Sequence, residues 1–284
     1  MDHVAVITDS TACIPPEVAR QERIDVIPLN LVFEGRTYVD GLDHDTAEFY
    51  RLLSSSRSLP TTAAPSPGEY LRAIRARAEG ARAVLCITVS AQFSAMYDSA
   101  LAAARLAREE FPGLDVRVLD SRNAAMAQGF VVIEAARAAR RGADIDACIA
   151  RAEEIMPRVS LLVVLDTLEY LARGGRVPRV AAWASQVLQV KPIVQFRERD
   201  IRLVARTRTR ARALDRLAEL LAERTAGEGP LHVCVHHANA PGDAERLAER
   251  ARALGPAELY VSEFTQVMGV HTGPGLVGFA FYTG

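Results

Sequence analysis

The 284-residue chain reads as an α/β protein of two domains, the first on a parallel sheet and the second on a mixed sheet. Three runs in the first half have the look of buried strands that end in small polar residues just before a helix. They are 4–8 into Thr8-Asp9-Ser10-Thr11, 83–87 into Thr88–Ser94, and 116–119 into Asp120-Ser121. Repeated strand–turn–helix units are the pattern of a parallel sheet. The second half carries a hairpin signal, two alternating runs over 190–196 and 201–206 separated by 197–200, followed by helices that alternate with single strands. That order predicts a mixed sheet with helices on one face. The change of pattern near Pro157 sets the expected domains at 1–158 and 159–284, and a hydrophobic content of 49% is ample for packed cores.

In order, Pro15-Pro16 opens a helix to about Arg23, because proline suits a first helical position. Residues 24–33 are an extended apolar run, and Glu34-Gly35-Arg36 turns the chain into a return arm over 37–39. A helix over 46–55 is ended by Leu59-Pro60; a loop over 61–68 precedes a helix over 69–79. Ala, Leu and Arg make 96–110 helical, and a long helix from about 124 to 140 and another over 145–156 complete the half. Beyond Pro157, 160–165 is a strand and 167–172 a short helix ended by Gly174-Gly175. A helix over 179–188 holds Trp183; after the hairpin come helices over 209–226 and 241–254 and strands over 231–236, 259–261 and 276–282.

Charge and cysteine content exclude several classes. Lys and Arg total 34 against 35 Asp and Glu, a net charge of −1, which argues against a nucleic-acid partner or a membrane-surface role. No apolar run is long enough to span a bilayer, and residues 1–9 carry no signal-peptide pattern, so stable membrane insertion is not expected. The four cysteines are widely spaced, without a Cys-x-x-Cys pair; a reducing cytoplasm fits best. No metal or cofactor is expected: no His, Asp or Glu set has ligand spacing, and no Walker A string offers the chain an ATP site of its own.

Five stretches bear chemistry. Ser94 is placed to cap the helix over 96–110, where free N–H groups and the helix dipole favour a carboxylate or phosphate; a plain cap is the competing explanation. In open α/β sheets ligands bind outside the carboxyl ends of the strands, so the turns after Thr8, Thr88 and Leu119 share one edge. Gly269-Val270-His271-Thr272-Gly273-Pro274-Gly275 describes a tight loop whose His271 and Thr272 can donate to an anion. Gly174-Gly175-Arg176 either holds Arg176 over a pocket or is a C-cap with a solvated arginine. Thr61-Thr62 before Pro65-Ser66 offers a hydroxyl, or is a connecting loop with an N-cap at Ser66. The arginines at 197, 199, 202, 206, 208, 210 and 212 make a basic arm for an acidic partner, or a solvated face. A nucleophilic enzyme is the competing class: Ser94 with His271, and Asp9 or Asp120 as third member, acting as a hydrolase on an acyl substrate. Against it, Ser94 lies in no Gly-x-Ser-x-Gly elbow.

Taken in order, these strings resemble the DegV family along the whole chain. They are Thr8-Asp9-Ser10-Thr11-Ala12; Pro28-Leu29 with Tyr38-Val39-Asp40-Gly41; Thr62 with Pro65-Ser66-Pro67-Gly68-Glu69; Ser90–Ala100; Leu168-Glu169-Tyr170-Leu171 with Gly174-Gly175-Arg176; Lys191-Pro192-Ile193; and His271-Thr272-Gly273-Pro274-Gly275. The resemblance implies an α/β/α N-terminal domain, an α/β mixed-sheet lipid-binding C-terminal domain, and a long-chain fatty acid between them. It implies no catalysis by the chain alone: a separate ATP-binding fatty-acid kinase phosphorylates the presented carboxylate, and the acyl phosphate enters phospholipid synthesis. It places Thr62, Ser94, His271 and Thr272 at the carboxylate, with Ala95, Met96 and Arg176 near the head group. Arg202, Arg206 and Arg208 are the expected kinase contact. The chain departs from the family's usual Ser-Gly-Thr-Tyr and Thr-Ser strings with Ser94-Ala95-Met96-Tyr97 and with Ala63 after Thr62.

Overall fold

In the computed structural model, residues 4–40, 46–56, 59–177, 190–198 and 200–284 are described. The helix expected over 179–188, with Trp183, lies outside them, as do Gly41 and Arg199. The chain opens with β1 (Val4–Asp9), a 3-10 turn over Ser10–Ala12, α1 (Pro16–Glu22), β2 (Ile24–Ile27), β3 (Asn30–Phe33), β4 (Arg36–Val39), α2 (Thr46–Ser55), β5 (Thr61–Ala63) and α3 (Pro67–Ala78). Then follow β6 (Ala83–Thr88), α4 (Met96–Glu110), β7 (Asp115–Asp120), α5 (Ala125–Arg140), α6 (Ile145–Ile155), β8 (Ser160–Val164) and α7 (Glu169–Gly174). The last described elements are β9 (Lys191–Arg197), β10 (Asp200–Thr207), α8 (Arg210–Thr225), β11 (Leu231–His237), α9 (Pro241–Arg252), β12 (Glu258–Glu263), α10 (Gln266–Thr272) and β13 (Val277–Thr283). Two expected loops therefore hold regular structure: Thr61–Ala63 is a strand, and Gln266–Thr272 a helix.

The chain forms two compact units, Met1–Asn30 with Thr62–Pro157, and Leu31–Thr61 with Arg158–Gly284. A boundary at 158 misses the transfer of residues 31–61, which belong with the second unit. The cause is long-range. Asp40 Oδ1 accepts a hydrogen bond from the Val267 amide at 3.0 Å, across 227 positions of sequence. Tyr50, 1% exposed, lies so close to Gly269 that a β-carbon there would meet its hydroxyl oxygen at 2.3 Å.

Unit one is built on a parallel sheet in the order β2-β1-β6-β7. Ile7, Val84, Cys86 and Val116 on one face pack against Tyr70 and Ile74 of α3 and the alanines of α4. Small residues at 100, 103, 104 and 107 let α4 approach the sheet closely. On the opposite face Val6, Leu85 and Ile87 are buried, and α5 packs on β1. Buried Glu22 joins α1 to α5 through Arg137 at 3.2 Å and Arg140 at 2.5 Å. Burial works to raise the Glu134 carboxyl, but Arg151 and Arg137 beside it more than offset that and hold it below its ordinary value. The C-terminal ends of β1, β6 and β7 share one edge, as three parallel strands followed by helices must.

Unit two carries a six-stranded mixed sheet, β10-β9-β8-β13-β11-β12, in which only β11 and β12 run parallel among the paired neighbours. Leu162, Val164, Val233, Val235, Val277, Phe279 and Phe281 project from one face into a cluster closed by leucines and alanines of α8 and α9. One irregularity separates two of the arginines. The β9–β10 register slips between Leu203 and Ala205, so Arg202 opposes Gln195 whereas Arg206 opposes Pro192. An inserted residue reverses the faces beyond it, so Arg202 and Arg206 project to opposite sides of the hairpin. The arginines expected to form one basic arm do not share a face.

Candidate functional site

The turn from β6 to α4 is built from buried polar anchors rather than from a cap. Ser94 is expected at the N-cap, but that position is Ala95, which makes no side-chain cap. The chain turns over 91–93, and α4 begins at Met96 as expected, two residues beyond the serine. Ser94 is half-buried and Ala95 exposed, while Met96 is 2% exposed and faces inward. The Val89 amide donates to Asp9 Oδ2 at 3.0 Å, the Ser90 amide to the Asn123 carbonyl at 2.9 Å, and the Ala91 amide to Asp120 Oδ1 at 3.2 Å. Asp9 also accepts from the Thr11 amide at 3.1 Å, from the Thr11 hydroxyl, and from Gln128 Nε2 at 3.2 Å. Burial pushes the Asp9 carboxyl above its ordinary value, and bonds from Thr11, Val89 and Gln128 pull the other way.

Thr62, half-buried, lies in β5 and precedes the turn into α3. That turn is a capping box: Ser66 Oγ accepts from the Glu69 amide at 3.3 Å, and Glu69 Oε2 accepts from the Ser66 amide at 2.7 Å. The bond from the Ser66 backbone holds the Glu69 carboxyl below its ordinary value. Ser66 is thus a structural cap, and Ala63 is exposed.

In unit two, His271 and Thr272 end the short helix α10 instead of lying in an open loop. The glycine-rich spacing misleads because Gly269 is required by packing against Tyr50, not by a turn. The turn proper comes at Gly273, at φ 75°, where a β-carbon would also run into the Tyr170 ring at 2.2 Å. The Thr272 hydroxyl donates back to the Met268 carbonyl at 3.1 Å, and Thr272 is 7% exposed. The His271 ring rests against Gly174, whose hypothetical β-carbon would lie 3.0 Å from Nδ1. Arg176, exposed, donates to the Gly174 carbonyl at 2.8 Å. Burial, with Arg176 adding, lowers the His271 pKa to about 4, so the imidazole is neutral at neutral pH. The structure therefore brings His271, Gly174 and Arg176 together.

These facts weigh against acid–base catalysis. A histidine near 4 is a weak base at neutral pH, and the charge that lowers it is a cation. Asp9 and Asp120, the expected third members of a triad, hold backbone amides of the turn before Ser94. The basic arm is likewise partly engaged. Arg202 pairs with Asp200, and Arg210 with Asp243 at 2.8 Å and Asp166 at 3.3 Å; Arg206 and Arg208 are exposed. Sequence reasoning noticed Asp9 and Asp120 as strand-end residues but not as amide anchors. The signal was there: an Asp closing a strand and followed by Ser accepts amide bonds readily. Tyr50 carried no local signal, because its partner is 219 positions away (269 less 50). Among the described residues, no helix is long and apolar enough to cross a membrane.

The parallel-sheet unit and the mixed-sheet unit, each with helices, define a two-unit α/β protein whose first unit carries buried polar residues at its strand ends. The chain belongs to the DegV family, described as an uncharacterised family of proteins, whose pattern matches residues 3–284. It is 38% identical over 279 residues to a DegV domain-containing protein of Streptomyces coelicolor, covering 97% of each chain. It is 35% identical to Protein DegV of Bacillus subtilis, covering 97% of this chain and 98% of that one. Among solved structures it resembles DegV of Bacillus subtilis, described as a fatty acid binding protein, at TM-score 0.88 and 33% identity over 100% of both chains. A DegV family protein of Thermus thermophilus, described by its fatty acid binding, superposes at TM-score 0.91 with 27% identity over 99% of each.

Proposed function

We propose that this chain binds a long-chain fatty acid and presents its carboxylate to a separate ATP-dependent kinase for acyl-phosphate formation, without catalysing a reaction alone. The observation that carries the binding is the whole-length likeness to a DegV protein described as binding fatty acid. The site residues are chemically suited to it. Ser94 is not consumed by capping, Thr62 offers a hydroxyl, and neutral His271 offers one N–H without a fixed charge. Thr272, whose hydroxyl bonds back to its own helix, contributes through position rather than through a free proton. Arg176 supplies a nearby positive charge, and buried Met96 shapes the surroundings of the head group. Burying each CH₂ gives roughly 0.8 kcal/mol, so a sixteen-carbon tail gives on the order of 10 kcal/mol before ordering costs, enough to keep lipid through purification. The kinase contact falls to Arg206 and Arg208, which are exposed, rather than to Arg202 on the other face. The expected location is the cytoplasm.

Mass spectrometry of an organic extract of the denatured protein tests the binding. A stoichiometric fatty acid is expected; an empty protein that also fails to take up added oleate or palmitate overturns it. Charge reversal at Arg206 and Arg208 is expected to lower phosphorylation by the kinase with bound lipid unchanged. Unchanged coupling would remove those two arginines from the contact.

A further inference from the structure

We infer that Asp9 and Asp120 are positioning residues for the head-group hydroxyl of Ser94, acting through the backbone of residues 89–91; this rests on the fatty-acid reading above. Consecutive amides of the turn are tied to three different groups: Val89 to Asp9, Ser90 to the Asn123 carbonyl, and Ala91 to Asp120. The Phe93 amide then returns to the Ser90 carbonyl at 2.9 Å and closes the turn that delivers Ser94. The serine itself does not cap α4, so the helix does not orient it; the anchored turn does.

The anchors are themselves fixed. Gln128, wholly buried on α5, donates to Asp9 Oδ2 at 3.2 Å and to Thr8 Oγ1 at 3.1 Å, and Thr8 donates to the Ile87 carbonyl at 2.8 Å. Asp120 Oδ1 also accepts from the Arg122 amide at 2.9 Å, and the Ser121 amide donates to the Thr88 carbonyl at 3.1 Å. A buried carboxylate with donors on both oxygens is a strong locator, because each donor is charge-assisted and directional. Asparagine at position 9 cannot reproduce it. In either orientation its NH₂ meets a backbone N–H, that of Val89 or that of Thr11, donor against donor, so the turn or its anchor loses one tie.

The test separates positioning from general stability by comparing two ligands with the same tail. Hexadecanoic acid and hexadecanol compete with a fluorescent fatty acid on the delipidated full-length protein. Asp9→Asn is expected to weaken the acid about tenfold and leave the alcohol unchanged, the size of one hydrogen bond to a charged group. Ser94→Ala should show the same selectivity, and the double variant should be no weaker than Ser94→Ala alone, because both act through one hydroxyl. If Asp9→Asn does not fold, Asp120→Ala carries the same expectation through Ala91. Equal loss of acid and alcohol, no loss of acid, or additive losses in the double variant would overturn the positioning role. Should the wild-type protein bind neither ligand, the fatty-acid reading falls first; Ser94→Ala selectivity without an Asp9 or Asp120 effect removes only the inference.

Discussion

The turn before Ser94 and the helix end at His271 solve one problem by different means. In unit one, amides of an irregular turn are fixed by hydrogen bonds to Asp9, Asn123 and Asp120. In unit two, His271 ends a helix whose place is fixed by close packing, with Tyr50 against Gly269 and Tyr170 against Gly273. Directional bonds hold a backbone that has no repeating structure of its own. Steric fit suffices where a helix already satisfies the backbone. The two arrangements should therefore break under different substitutions.

The largest effect is expected at Gly269. A β-carbon there would meet the Tyr50 hydroxyl at 2.3 Å and two of its ring carbons at 2.8 Å, and Tyr50 has no room to retreat at 1% exposure. Gly269→Ala should destabilise unit two by about 3 kcal/mol, the upper end of ordinary overpacking, measured by urea denaturation. Adding Tyr50→Leu should recover part of the loss, since residues in contact do not add independently. A Gly269→Ala protein with an unchanged midpoint would show that packing does not hold the helix end.

Acid comes next and acts with opposite sign on the buried histidines of unit two and on Asp9 of unit one. His271 has a folded pKa of about 4 and His236 of about 3, each lowered first by burial, against an ordinary 6.5. The unfolded chain therefore takes up these protons first. Their contribution to stability is complete above about pH 6.5 and is lost as pH falls toward the folded values, with a slope of about 1.4 kcal/mol per pH unit for each group. Asp9 works the other way: its folded pKa is raised, so its contribution is complete below the ordinary carboxylate range and is lost as pH rises through the folded value. His271→Gln in lipid-free protein should flatten the dependence between pH 6 and 4.5 by about one proton, read from thermal midpoints across that window. An unchanged slope would mean that His271 is not held neutral by its surroundings.

How far the sequence carried depends on the range of the interaction. Local signals placed α4 and α2 at their observed limits, because alanine-rich periodicity, Pro60 and flanking polar residues act within a turn or two. The strand–turn–helix repeats likewise predicted the parallel order of β1, β6 and β7. What escaped was long-range or geometric. Residues 31–61 join unit two through Asp40 and Tyr50, partners more than two hundred positions away. The bulge that turns Arg202 from Arg206 has no composition signal, and glycines at 269 and 273 read alike as loop residues although one serves packing and the other a positive φ. Ser94 was placed one residue from the true cap, which matters because a capping hydroxyl and a free one have different chemistry.

The smallest effect sharpens the case for unit one. If its turns are held by directional bonds, the segment between Thr62 and α3 should respond to loss of the Ser66–Glu69 box and not to loss of bulk. Ser66 is exposed, so Ser66→Ala removes an acceptor while burying nothing new. It should cost about 1 kcal/mol, the usual effect of an N-cap. Ser66→Asp should restore most of it, because a carboxylate accepts the same amide at the positive end of the helix. Glu69 gives a second readout: its carboxyl lies below the ordinary value chiefly through the Ser66 amide, and folded-state titration should show it rise in any variant that opens the turn. Ser66→Ala with no change in stability or in the Glu69 titration would mean that neighbouring packing, and not the box, sets the path of the chain past Thr62.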